Sequence, residues 1–419
     1  MPDTAFRESI RLLYTRRFGT FWFASLLSNI GTWAQQVAQP WLLLSLGASS
    51  LLVGVDSFAM SAPVWVLTLA GGILADRADR RRVIAGFQSL QMLCPIIIVA
   101  LLLTGTVRPW MIIVLSLIVG ITDALSMPSF SSIVPSIVER KQIAAGLALN
   151  STQFNMSRIV GPALAGLLMA SVGAIGCFVV SAASYLPFIG VALLILPHGK
   201  PAPTASPPFN ARHPYAGIGV IVRTPHLRDA LLTTFFSGLL CAPLLTFCPV
   251  LVKSAFHGNA AQYSLTVGAF GLGGLLGATG LLAVDATRDR RRLSSWFAAG
   301  FGLTLVFAAL VPWFWSLVGL LVLAGMAMSV TNTSTNTVVQ TSASSHLRGQ
   351  AVSLYMLAVR GGGALGSLLT GLSVSLLGVR EALLINGTLA ILAQVLIGRR
   401  WRDAPVPTAP DTQSSVGDP

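Results

Sequence analysis

Apolar runs of about 20 residues alternate with short polar turns from residue 18 to residue 400. A helix of that length is what is needed to cross the hydrocarbon core of a bilayer. Twelve runs are predicted as helices, near 18–46, 50–74, 83–104, 109–130, 144–171, 174–196, 229–253, 261–284, 293–311, 313–338, 350–376 and 380–400. Residues 1–17 read as a basic arm. Residues 197–228 read as a linker, extended over its proline-rich first half, with a short membrane-surface helix between Tyr215 and Arg228. Residues 401–419, rich in Pro, Ser and Asp, read as a disordered tail. The linker separates a six-helix unit over 18–196 from another over 229–400. The predicted fold class is an all-α integral membrane protein, with twelve transmembrane helices in two pseudo-symmetric six-helix bundles.

Composition agrees with this pattern. Of 419 residues, 54% are hydrophobic and 10% charged, and the mean hydropathy is +0.75. A soluble domain is about a quarter charged. The net charge of +13 would suit a nucleic-acid binder, but the basic residues fall at the ends of alternate helices. Twenty-two of the 27 Lys and Arg share the face that carries both termini, and only Arg108, Lys253 and Arg380 lie on the other. That asymmetry predicts a cytoplasmic-membrane protein with both termini in the cytoplasm. Its expected partners are the lipid bilayer, a small-molecule substrate and a proton, with no nucleic acid, and it is expected to be monomeric. Arg16-Arg17 precedes an apolar run without a small-residue cleavage site, so an uncleaved first helix is expected. Cys94, Cys177, Cys241 and Cys248 match no metal spacing and read as helix packing.

The densest turn follows the second helix: Gly71-Gly72-Ile73-Leu74-Ala75-Asp76-Arg77-Ala78-Asp79-Arg80-Arg81-Arg82. A degenerate copy, Asp285 with Arg288, Arg290, Arg291 and Arg292, follows the eighth. Such internal symmetry marks transporters built from two related bundles. No His/Glu metal pair, Ser/His/Asp set or phosphate loop occurs, so no enzyme activity, cofactor or metal is predicted. The glycines at 268, 271, 273, 274 and 277 mimic a dinucleotide fingerprint, but no strand precedes them.

Four ionisable residues fall inside helices: Asp56, Asp123, Arg158 and Arg360. Each costs about 2.5–3.5 kcal/mol at a helix centre unless it has a partner, water or a role. Asp123 lies roughly 12 Å from the basic end of its helix and Arg158 roughly 20 Å into the next. An Asp123–Arg158 pair is therefore predicted, as a structural staple or a proton-coupled switch. Asp56 faces an external vestibule or serves as a second proton site. Arg360 holds an anionic substrate or neutralises a backbone carbonyl, and Gly361-Gly362-Gly363 after it should loosen the eleventh helix. Polar residues at helical spacing mark candidate cavity positions: Asn29, Gln35, Gln36 and Gln39; Asn150, Gln153 and Asn155; Asn332, Asn336 and Gln340. Interhelical hydrogen bonding is the competing reading. Arg158-x-x-Gly161-Pro162-x-x-Ala165-Gly166 combines a proline bend with a small-residue surface, facing the glycines of the eighth helix either as close packing or as a seam between halves.

Gly72-x-Leu74-Ala75-Asp76-Arg77-x-x-Arg80-Arg81 resembles the signature between helices 2 and 3 of the major facilitator superfamily. Ser28-Asn29-Ile30-Gly31-Thr32-Trp33, Ala148-Leu149-Asn150-Ser151, Arg158-Ile159-Val160-Gly161-Pro162 and Leu347-Arg348-Gly349 resemble its enterobactin-exporter-like, drug:proton antiporter-like branch. The resemblance implies export of a siderophore or drug-like compound by alternating access, with proton antiport. It also implies a gate in which Asp76 meets the start of the eleventh helix near Gly349, supported by Gly72, Arg77, Arg80, Arg81, Gly161, Pro162 and Gly166. An importer or facilitator of the same fold, and a membrane enzyme or sensor, are the alternatives.

Overall fold

The computed structural model describes residues 11–131, 133–196, 216–282, 289–344 and 347–403. Among them the chain is helical throughout, with no strand. Twelve long helices follow one another: α1 (Arg16–Ser45), α2 (Ser50–Ser61, continued after Ala62 as Pro63–Arg77), α3 (Arg80–Leu103), α4 (Pro109–Ser131), α5 (Ile143–Ser171) and α6 (Ala174–Leu194). Then come α7 (Pro225–Phe236, continued as Ser237–Cys241 and Pro243–Ala255), α8 (Ala260–Leu282), α9 (Arg290–Leu310), α10 (Phe314–Ser342), α11 (Arg348–Leu377) and α12 (Val379–Asp403). A short helix, Ala216–Arg223, precedes α7, as the linker pattern predicts. α7 itself starts at Pro225, inside the stretch predicted as linker.

Among the described residues, ten helices are long and apolar enough to cross a membrane. α1 and α5 are not among them. Both carry runs of Ser, Asn, Thr and Gln, which lower their hydropathy and line the interior. Exposed Trp110, Trp313 and Trp315 mark one end of the bundle and exposed Trp296 lies near the other, the placing of an aromatic belt.

The same local devices recur in both halves. Asp79 caps α3, its carboxylate accepting from the Arg81 amide at 3.0 Å. Asp289 caps α9, accepting from the Arg291 amide at 3.0 Å. Gly173 turns the chain from α5 into α6 with φ +80°, and Gly378 turns it from α11 into α12 with φ +104°. Both are left-handed conformations that favour glycine. α7 departs from this regularity. Its Ala242 amide donates to the Ser237 carbonyl at 3.1 Å, five residues back, which makes a π turn.

Helix pairs repeat as well. α2 packs on α4 as α8 does on α10, α3 on α6 as α9 on α12, and α1 on α5 as α7 on α11. The halves meet along two symmetry-related seams, α2 with α11 and α5 with α8. The apolar cores show how far they meet. One core spans both halves at the end away from the basic turns and includes Phe178, Phe247, Tyr263, Phe270 and Phe301. At the basic end there are two separate cores. Phe18, Phe21, Ile84 and Phe188 belong to the first half, and Ile221, Leu227, Val339 and Ile397 to the second. Among the described residues, the apolar core is shared by the halves at one end and separate at the other.

Candidate functional site

The joined end is closed by specific contacts. Trp41 of α1 stacks on Tyr263 of α8 with ring centroids 5.7 Å apart. Lys253 Nζ at the end of α7 donates to the Leu44 carbonyl at 3.0 Å. A Cβ on Gly54 of α2 would lie 3.2 Å from the Gly371 Cα of α11, and one on Gly166 of α5 would lie 2.9 Å from the Ser264 Cβ of α8. Gly54 lets its helix touch α11 backbone to backbone, and Gly166 lets the Ser264 side chain sit against α5.

Behind this closure lies a cavity of about 160 Å³, lined by Gln35, Gln36 and Gln39 of α1, Asp56 of α2, Ser116 of α4 and Tyr185 of α6, with α7 contributing Leu245 and Thr246. Asp56 does not face a vestibule. It is 5% exposed, because α2 turns this face toward α1 and α4. Gln39 Nε2 donates to one of its oxygens at 2.8 Å and Ser116 Oγ to the other at 2.6 Å. No cation pairs with it among the described residues. Ionised carboxylates cost several kcal/mol to bury, which hydrogen bonds offset only in part. Pockets for drug-sized ligands run about 300–1,000 Å³, so this cavity is too small to hold one in this conformation.

The predicted Asp123–Arg158 pair is not formed. Asp123 of α4 instead accepts from Arg360 Nη1 of α11 at 2.9 Å. The reach of an arginine could bridge the difference in depth between Asp123 and Arg158, but the rotation of α4 about its axis turns Asp123 across to the other half. The side chains are 35% exposed for Arg360 and 45% for Asp123, so water reaches the pair. Arg158 lies over the Trp33 indole, 5.3 Å from its centroid, a contact worth about 0.5–2 kcal/mol. It also lines a second cavity of about 100 Å³ with Ser329, Asn332 and Thr333 of α10.

The glycine-rich surfaces divide between two tasks. Gly166 and Gly271 lie on the α5–α8 seam, a Cβ on Gly271 falling 3.0 Å from the Arg158 carbonyl. Gly161, predicted for the seam, packs on Trp33 within the first half, and Gly273 and Gly277 pack on Val322 and Met326 of α10. Pro162 is accommodated inside an unbroken α5. Gly361 to Gly363 do not loosen α11, which runs unbroken through them. Gly361 admits Trp65, and Gly362 admits the Phe235 carbonyl of α7.

The remaining polar candidates mostly bind one another. Gln153 Nε2 donates to Ser25 at 3.2 Å and to Asn150 at 3.4 Å, and Asn29 donates to Gln153 at 3.3 Å, joining α1 to α5. Gln340 donates to Asn336 at 3.0 Å. Gln36, Gln39 and Asn332 line cavities. The side chain of Asn155 lies outside the described residues. So do those of Asp76, Arg77 and Arg80, the surroundings of Gly349, and Asp285 and Arg288. Gly72 has open space where a Cβ would be, and it is Gly71 that approaches α4, where a Cβ would lie 2.8 Å from the Ala124 carbonyl oxygen. Sequence reasoning passed over Ser116, a small hydroxyl with no distinguishing signal. It also passed over the caps Asp79 and Asp289, which an acid directly before a helix start could have revealed.

Known proteins share this architecture. The chain is 25% identical over 375 residues to the staphyloferrin A transporter of Staphylococcus aureus, covering 88% of this chain and 92% of that one. It is 28% identical over 362 residues to the multidrug efflux pump Tap of Mycobacterium tuberculosis, covering 83% and 85%. The macrolide efflux protein A of Streptococcus pyogenes is 24% identical over 394 residues, covering 91% and 95%. Among solved structures, the nucleoside transporter NupG superposes with a TM-score of 0.71 at 14% identity, over 93% of this chain and 100% of that chain. A bacterial Spinster homologue in its inward-facing, unoccupied conformation gives 0.67 at 16%, over 93% and 98%. The model of the transmembrane secretion effectors matches residues 10–416. With its two six-helix halves, the chain belongs to that family, a group of non-enzymatic transporters within the major facilitator superfamily.

Proposed function

We propose that this protein exports a small organic molecule, drug-like or a siderophore, across the cytoplasmic membrane in exchange for protons. The basic end and both termini face the cytoplasm, and residues 18–196 and 229–400 rock against each other. The observation that carries this reading is the Asp123–Arg360 pair, which crosses between the halves within reach of water. A proton on Asp123 cancels the attraction, so protonation and the relation of the halves are linked. The single core at one end and the paired cores at the other fit a conformer closed to the outside. In the opposite conformer Asp76 meets the start of α11 at Gly349 and closes the basic end, with Arg77, Arg80 and Arg81 holding the turn in the cytoplasm. Asp56 is a second proton site. One chain supplies both walls of the path, so a monomer suffices. Efflux by Tap and by macrolide efflux protein A favours export over import.

Purified protein in liposomes with an internal pH reporter tests this. A panel of drugs and siderophores is expected to contain compounds that provoke proton movement only when the protein is present. Substrate flux without proton movement would make the protein a facilitator.

A further inference from the structure

We propose that the pocket around Arg158 is an anion subsite of the substrate path, taking a carboxylate or comparable oxyanion of the transported molecule. The inference rests on the exporter reading and specifies one end of its substrate. Arg158 sits mid-helix in α5, where the first half faces α8 and α10 of the second. Among the described residues it makes no ion pair; its guanidinium rests on Trp33. The side chains of Ser329 and Asn332 border the same pocket and make no hydrogen bond with the protein among the described residues. Phe270 and Leu275 supply an apolar wall. The lining therefore offers one full positive charge, the hydroxyls of Ser329 and Thr333 and one amide, and no negative group.

The pseudo-symmetry sharpens the point. α5 corresponds to α11, α8 to α2, and α10 to α4. Arg158 precedes the α5–α8 contact of Gly166 with Ser264 by about two helical turns. Arg360 precedes the α11–α2 contact of Ser367 and Gly371 with Gly54 by about two to three turns. The two arginines thus lie on corresponding helices within about one turn of equivalent positions, each meeting the fourth helix of the opposite half. For Arg360 that helix provides Asp123 at 2.9 Å. For Arg158 it provides Ser329, Asn332 and Thr333. On one side of the molecule the protein supplies the carboxylate, and on the other the ligand does.

Benzoate and its neutral isostere benzamide test the assignment by calorimetric titration of the purified protein. Wild type is expected to bind benzoate about tenfold or more tightly than benzamide, the worth of a charge-assisted contact. Arg158→Gln should remove the preference, and Arg158→Lys should keep part of it. Asn332→Asp places a carboxylate opposite Arg158, as Asp123 stands opposite Arg360. It should abolish benzoate binding while holding or raising the melting temperature, so that misfolding is not the cause. Equal affinities in wild type, or wild-type benzoate binding by Arg158→Gln or Asn332→Asp, would overturn the proposal. Binding is read without transport, so the two ideas fail separately. Proton-coupled efflux with no benzoate preference removes the subsite alone. Benzoate discrimination with no substrate flux leaves the anion site standing and removes the exporter reading.

Discussion

Replacing Asp123 by Asn removes one charge and little volume, and holds the site permanently in the form it takes when protonated. The substitution breaks a charge-assisted hydrogen bond of 2.9 Å between the halves. Such bonds contribute about 1.5–3 kcal/mol. Both side chains are a third or more exposed, so screening by water brings the expected loss to about 1–2 kcal/mol. That shifts the balance between conformers by about 5–30-fold. Two measurements follow. In proteoliposomes the variant should still exchange substrate down its own gradient, while accumulation driven by a pH gradient disappears. In cells, a cysteine at Val267, buried beside the cavity in the closed state, should change its labelling by an impermeant maleimide by a comparable factor. Cys94 lines the same cavity, so the labelling is done in a Cys94→Ala background, the other three native cysteines being buried. The exchanged pair, Asp123→Arg with Arg360→Asp, should restore the labelling of the parent. Wild-type accumulation with unchanged proton stoichiometry in Asp123→Asn would refute the coupling role.

Gly166→Leu cannot keep the α5–α8 seam, since even a Cβ there comes within 2.9 Å of Ser264. The joined end should open, and maleimide labelling at a Val267 cysteine should rise. Asp79→Ala and Asp289→Ala each remove an N-cap and should each lower stability in detergent by about 0.5–2 kcal/mol, read as similar drops in melting temperature. Asp56→Leu leaves the Ser116 hydroxyl without its acceptor and leaves Gln39 Nε2 with Ser116 Oγ alone. It should cost about 1–3 kcal/mol per unmet group, whereas Asp56→Asn should cost less and still abolish pH-driven accumulation.

Much of the fold was legible because a bilayer permits few solutions. Apolar length set the helices, and the distribution of arginine set a common end for their basic turns. The partner of Asp123 was not legible. Depth along a helix follows from counting residues, but the direction a side chain faces depends on how twelve helices pack, and Arg360 lies 237 residues away. The glycines misled for a related reason. Gly161 and Gly166 sit on one helix at similar spacing, yet one meets Trp33 of its own half and the other meets Ser264 across the seam. Hydropathy undervalued α1 and α5 because the residues that line the interior make a helix look soluble.

The π turn of α7 has a numerical consequence. It carries one residue more per turn than its surroundings, so every side chain after Cys241 is rotated by about 100° from where an uninterrupted helix would put it. Leu245 and Thr246, which α7 contributes to the cavity holding Asp56, lie beyond it. Superimposing the halves by residue count therefore names the wrong neighbour of that cavity. A graft or chimera joined past Cys241 must skip one position to keep its inner face inward.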